Sequence, residues 1–149
     1  MSQSKIEIGQ NCFRGCKKTK NIKIPNGIRS IGDNALRECA SITNLIIPSS
    51  VSSIGNHAFR ECSSLVEITI PSSVKSLGYY AFFKCTSLKK IEILGQIKSI
   101  DDSTFDGCES LLEINIPSSV EKIGNYVFNK CPQLKKVTIP EKVSEIGFC

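Results

Sequence analysis

Between Leu65 and Phe82 the chain alternates and then breaks in an ordered way. Ile68 and Ile70 are separated by Thr69 and preceded by Glu67, the period of two expected of a strand with one buried face. Pro71 stops that strand, because proline fixes φ and has no N–H to give a ladder. Ser72 and Ser73 turn the chain. Val74 and Leu77 then form a shorter apolar pair ahead of Gly78, where the backbone is expected to need either a positive φ or a close approach by another segment. Ala81 and Phe82 are read as a single turn of α- or 3₁₀-helix that closes the unit.

The same unit recurs along the whole chain. Cys16, Cys39, Cys62, Cys85, Cys108 and Cys131 are spaced by 23 residues. Phe13, Leu36, Phe59, Phe82, Phe105 and Phe128 keep the same step, as do Gly9, Gly32, Gly55, Gly78, Gly124 and Gly147, with Asp101 in the glycine column. Pro25, Pro48, Pro71, Pro117 and Pro140 keep it too, with Leu94 as the exception. A fixed period in this range predicts a leucine-rich-repeat solenoid. A lone unit cannot bury its apolar face, whereas stacked units can. About six coils at ~4.8 Å each make a slab roughly 30 Å long. Ile24, Ile47, Ile70, Ile93, Ile116 and Ile139 should form one continuous spine, and the Phe column a stack on the opposite wall. The expected fold class is therefore an α/β repeat of mostly short parallel β ladders with helical or 3₁₀ links, as one domain over 1–149, uncapped at both ends.

The unit resembles the BspA-like, or Treponema pallidum type, leucine-rich repeat: a Cys or Asn, then L-x-x-I-x-I-P-x-x-V-x-x-I-G-x-x-A-F. Leu65, Ile68, Ile70, Pro71, Val74, Leu77, Gly78, Ala81 and Phe82 fit it, and so do the counterparts from Leu134 to Ile146. Thr19, Cys12 and the run Leu94-Gly95-Gln96 depart from it. The resemblance implies a non-enzymatic protein, of a family spread among bacteria and parasitic protists whose members include surface adhesins and secreted interaction proteins.

Composition narrows the chemistry. The chain has 149 residues, 40% of them hydrophobic and 22% charged, with a net charge of +5. That suits a soluble globular domain, and no apolar run approaches the ~18 residues of a membrane span. The stretch from Met1 to Ile8 has no apolar core of a cleavable leader. Eight cysteines would ordinarily suggest disulfides or zinc. A column of parallel Cβ vectors is poor disulfide geometry, and without a C-x-x-C pair there is no tetrahedral cage. The column reads as buried thiols acting as small hydrophobes, Cys149 as the reactive or intermolecular exception. His57 is the only histidine and has no nucleophile or carboxylate at a recognisable spacing. No nucleotide-binding or nucleophile-elbow motif occurs. No catalytic residue, metal site or cofactor is expected. Lys17, Lys18, Lys20 and Lys23 cluster, yet aromatics are not interleaved with the basic residues, so nucleic acid is an unlikely partner.

A protein partner is the expected ligand, held on the outward positions of the main strands. These are Asn21 and Lys23, Asn44 and Ile46, Glu67 and Thr69, Lys90 and Glu92, Glu113 and Asn115, and Lys136 and Thr138. They vary from copy to copy while inward positions hardly change. A tunable binding face shows such variation, and so does an unselected solvent face. Ile46, Val66 and Leu112 are apolar among polar neighbours. The alternative is a self-assembling structural or adhesion protein, forming a homodimer or array by end-to-end stacking through Ile6, Phe148 and Cys149. A thiol-rich chain without an N-x-Ser/Thr sequon suits the cytoplasm; the family resemblance pulls toward a cell surface.

Overall fold

A computed structural model describes residues 6–148. Every coil contributes one strand to a six-stranded parallel sheet. Its strands are β2 (Asn21–Lys23), β4 (Asn44–Ile46), β6 (Glu67–Ile70), β8 (Lys90–Ile93), β10 (Glu113–Asn115) and β12 (Lys136–Thr138). Two-residue strands line a second side: β1 (Glu7–Ile8), β3 (Ser30–Ile31), β5 (Ser53–Ile54), β7 (Ser76–Leu77), β9 (Ser99–Ile100), β11 (Lys122–Ile123) and β13 (Glu145–Ile146). The register follows the sequence period, with Glu67 opposite Lys90, Ile68 opposite Ile91 and Ile70 opposite Ile93. A one-residue slip would turn the isoleucines outward.

The core is built of stacked like residues. Phe59, Phe82, Phe105 and Phe128 lie face to face, with centroids 5.1, 5.7 and 6.0 Å apart. Leu36 continues the column, fully buried. The isoleucine spine is buried from Ile24 to Ile116, while Ile139 in the last coil is exposed. The cysteines have a polar task as well as an apolar one. Each thiol donates to the carbonyl 26 residues back, Cys62 to Leu36, Cys85 to Phe59 and Cys108 to Phe82, at 3.2, 3.1 and 3.3 Å. Each of those carbonyls also accepts the backbone N–H three residues on, from Cys39, Cys62 and Cys85 at 3.2, 3.1 and 3.1 Å, so the thiol fills its second acceptor position.

The links that close the coils differ from the expected helical or 3₁₀ turn: they are runs of turns, and no helix occurs among the described residues. The reason lies in where their amides point. His57, Phe59 and Glu61 donate N–H to the carbonyls of Tyr79, Ala81 and Phe83 in the next coil, at 2.8, 2.9 and 2.8 Å. Arg60 and Cys62 donate within the coil, to His57 and Phe59. A helix directs every amide along its own axis and would forfeit this third ladder. The alternation requires left-handed residues, His57 at φ 56° and Glu61 at φ 60°, repeated at Tyr80 and Lys84. That conformation costs an L-residue about 1–2 kcal/mol, which the inter-coil bonds offset.

Gly78 is settled as a close approach. A Cβ there would lie 2.5 Å from the Asn56 nitrogen and the Gly55 carbonyl carbon. Beside this column Asp33, Asn56, Asp102 and Asn125 staple coil to coil, each Oδ1 accepting the backbone N–H 23 residues on.

One junction is irregular. The second sheet divides into β1-β3-β5-β7 and β9-β11-β13, with no pairing between β7 and β9. Here Asp101 stands in the glycine column and Tyr79 in the Asn/Asp column, so close approach and staple are lost together. The main sheet is tighter at the same junction. Leu94, unlike proline, has an N–H, which donates to Ile70 at 2.9 Å. The double substitution Tyr79→Asn with Asp101→Gly is expected to rejoin the sheet. The amides of Lys98 and residue 101 should exchange more slowly with solvent. A net gain of about 1 kcal/mol would raise Tm by roughly 2–4 °C.

Candidate functional site

The outward face of the six-stranded sheet carries the twelve residues singled out from the sequence, and all are exposed. Strand pleating puts them in two columns. The first runs Asn21, Asn44, Glu67, Lys90, Glu113, Lys136, and the second Lys23, Ile46, Thr69, Glu92, Asn115, Thr138. In the first, Lys90 sits in register between Glu67 and Glu113, and Glu113 between Lys90 and Lys136. Opposite charges across neighbouring strands support each other by about 0.2–1 kcal/mol a pair. The later coils thus compensate their own charges, while the first two present amides, Lys23 and Ile46.

Ile46 is 82% exposed, the most solvent-accessible large apolar side chain of this face. It lies in register beside Lys23 and forms a ridge between two shallow grooves. One, of about 400 Å³, is lined by Asn21, Ile22, Lys23, Ile24, Asn26, Asn44, Ile46 and Pro48. The other, of about 460 Å³, reaches Glu67, Thr69, Lys90 and Glu92. Val66 and Leu112 are also exposed, but each precedes its strand.

Other surfaces carry less. On the turn side His57 stacks on Tyr80 at 5.0 Å, Tyr80 meets Phe83 edge-on, and the Arg60 guanidinium lies 4.7 Å over Phe83. Tyr79 lies apart from that cluster, on the second-sheet side. The His57 Nδ1 is buried without a hydrogen-bond partner. Burial, then Arg60 and Arg37, hold the imidazole below its ordinary pKa. This is a packing group rather than a general base with a reactive partner. A polar groove of about 540 Å³ lies beside the sheet break, but its groups are engaged internally. Asp102 accepts from Asn125 at 2.7 Å, and Lys122 pairs with Glu145 at 2.9 Å. Among the described residues, no group of three or more His, Cys, Asp and Glu is placed to hold a metal ion, and no helix is long and apolar enough to cross a membrane.

At the outer coils the Ile6 side chain is 59% exposed and that of Phe148 76%. Their backbones are held, the Ile6 carbonyl by Arg29 N–H and the Phe148 N–H by Asn125 Oδ1. Cys149 lies outside the described residues. The thiol column resists ionisation. Burial pushes Cys39 and Cys131 up from 9.0 to about 11, and Cys62, Cys85 and Cys108 further in the same direction. A thiol so shifted contributes its full stability below pH 9.0, where the unfolded chain also keeps it protonated, and loses it progressively toward the folded value. Denaturant midpoints, measured under reductant, are therefore expected to stay level between about pH 7 and 9, to fall below that as the unfolded chain's imidazole takes a proton more readily than His57 does in the fold, and to fall from about pH 9 upward through 11. A Cys108→Val variant should lessen the alkaline fall. At pH 8, iodoacetamide should label Cys12, which is exposed, long before Cys62, Cys85 or Cys108, as read by mass spectrometry.

These coils define a parallel β-solenoid of leucine-rich repeats. The family model described as "BspA type Leucine rich repeat region (6 copies)" matches residues 1–111 and 30–149, so the chain belongs to the BspA-type leucine-rich repeat family. Among solved structures, it resembles a leucine-rich repeat protein from Bacteroides ovatus ATCC 8483, with 31% identity and a TM-score of 0.91 over 95% of this chain. This chain spans 37% of that protein's length. The T. pallidum leucine-rich repeat protein is 27% identical with a TM-score of 0.67, covering 87% of this chain and 72% of its own. No match is found among curated proteins. The family and fold are those of a repeat scaffold for protein interaction or for surfaces, typically without enzymatic activity.

Proposed function

We propose that this chain is a non-enzymatic protein-binding module whose partner lies across the exposed face of the six-stranded sheet. The observation that carries the reading is Ile46, an aliphatic side chain 82% exposed between two grooves on a regular slab. A soluble β face ordinarily keeps such positions polar, and an exposed apolar group rimmed by polar ones marks a contact. Internal repetition supports the same view, because repeated turn serines and a stacked core supply no convergence of unlike groups for catalysis.

The test is selection from a displayed random peptide library, followed by binding measurements on the face variants. Ile46→Asp is expected to weaken a selected ligand by at least about tenfold while leaving Tm within about 2 °C, since the side chain buries almost nothing. Ligands indifferent to Ile46→Asp and to Thr69→Arg would overturn the reading. A second reading, self-association through the outer coils, has support in the exposure of Ile146 and Phe148. Light scattering that finds a concentration-independent monomer, with and without reductant, removes it.

A further inference from the structure

We infer that the first two coils of this face take an extended acidic segment of a partner protein, with one apolar side chain of that segment seated against Ile46. This rests on the ladder-face reading above and adds the chemistry of the partner. β2 and β4 carry no carboxylate, whereas β6, β8 and β10 each carry one, and β12, which carries none, has its Lys136 in register with Glu113. Lys20 immediately precedes β2, and Lys23 ends it in register with Ile46. Both lysines are exposed, and among the described residues neither is in an ion pair, unlike Lys98 and Lys122. Positive charge and exposed apolar surface thus coincide at one end of the sheet, where nothing internal neutralises the charge.

That combination selects among anions. The groove between Ile46 and β2, about 400 Å³, has room for a few side chains, which suits a segment rather than a folded domain. No aromatic ring lines it, so bases of a nucleic acid have no stacking platform there. Carboxylates flanking an aliphatic anchor match both the charge and the shape. The lysines, at the rim, act chiefly on encounter and on salt dependence, and Ile46 on retention.

The experiment is fluorescence anisotropy with labelled 12-residue peptides: a central leucine flanked by aspartates and glutamates, the same leucine flanked by serines or by lysines, and the acidic peptide with its leucine replaced by serine. A 12-nucleotide single-stranded DNA is the fifth probe. The acidic leucine peptide is expected to bind at least about tenfold more tightly than the rest. Its affinity should fall with added salt and drop about tenfold in Lys20→Glu/Lys23→Glu and in Ile46→Asp. Serine- or lysine-flanked peptides that bind equally well, yet still need Ile46, overturn the acidic partner and leave the ladder face standing. Equal binding of the leucine-free peptide or of the DNA overturns the anchored segment. Binding insensitive to Ile46→Asp overturns this inference and the ladder-face reading together. Failure of every probe overturns the inference alone, since the ladder face is tested separately by the unbiased library.

Discussion

A Phe82→Ala variant is expected to lose about 3–5 kcal/mol of stability, measured as a lowered denaturant midpoint. Phe82 is fully buried, with Phe59 on one face and Phe105 on the other. Removing the ring takes away its transfer energy and opens a cavity between two coils. The backbone on either side is held from collapsing into that space, by both sheets and the turn ladder toward Phe59, and toward Phe105, where β7 and β9 do not pair, by the main sheet and the turn ladder. Phe82→Leu should cost much less. Leu36 occupies the same column fully buried, which shows that the wall accepts a branched aliphatic group.

Gly78→Ala has no cavity to explain it and is nonetheless expected to cost about 2–4 kcal/mol. Its added methyl carbon would sit 2.5 Å from two backbone atoms of the preceding coil. Neither atom is the end of a flexible side chain, so the coils must part and ladder bonds must lengthen. Asp101 illustrates the outcome, since the second sheet is broken where it replaces this glycine. Gly9→Ala is the control. Nothing lies within 4 Å of the position its Cβ would take, and its effect should stay within about 0.5 kcal/mol. Thermal melts of the two variants side by side would separate close approach from any general intolerance of alanine in these turns.

Much of the architecture was legible because each inward position repeats six-fold. Alternation around Ile68 and Ile70, the proline stop and the constant step between cysteines are each local signals, and stacking makes them agree. The outward columns were legible for the same reason, and Ile46 stood out as apolar before its exposure was known. Periodicity did not reveal the links. Ala81 and Phe82 point inward from a helical turn and from a run of turns alike. Only the demand of the next coil for amide donors decides between them, and no single unit carries that information. The left-handed conformation of Glu61 and Lys84 was hidden for a related reason, as these residue types give no hint of positive φ. Asp101 and Leu94-Gly95-Gln96 were visible as departures. Their opposite effects, one sheet opened and the other lengthened, depend on which backbone groups face each other across the junction.

A period without slippage also governs how such a chain can change in length. Excision of 62–84 would bring Glu61 to Cys85, and the Cys85 thiol would inherit the Leu36 carbonyl that Cys62 now caps. Lys90 would come to lie opposite Asn44, and every column would close up in phase. Removal of one residue fewer would throw each later side chain out of its column. Growth and shrinkage are thus quantised in whole coils, and recombination between copies can lengthen or shorten the recognition surface while the hydrogen-bonding pattern of the backbone is copied unchanged.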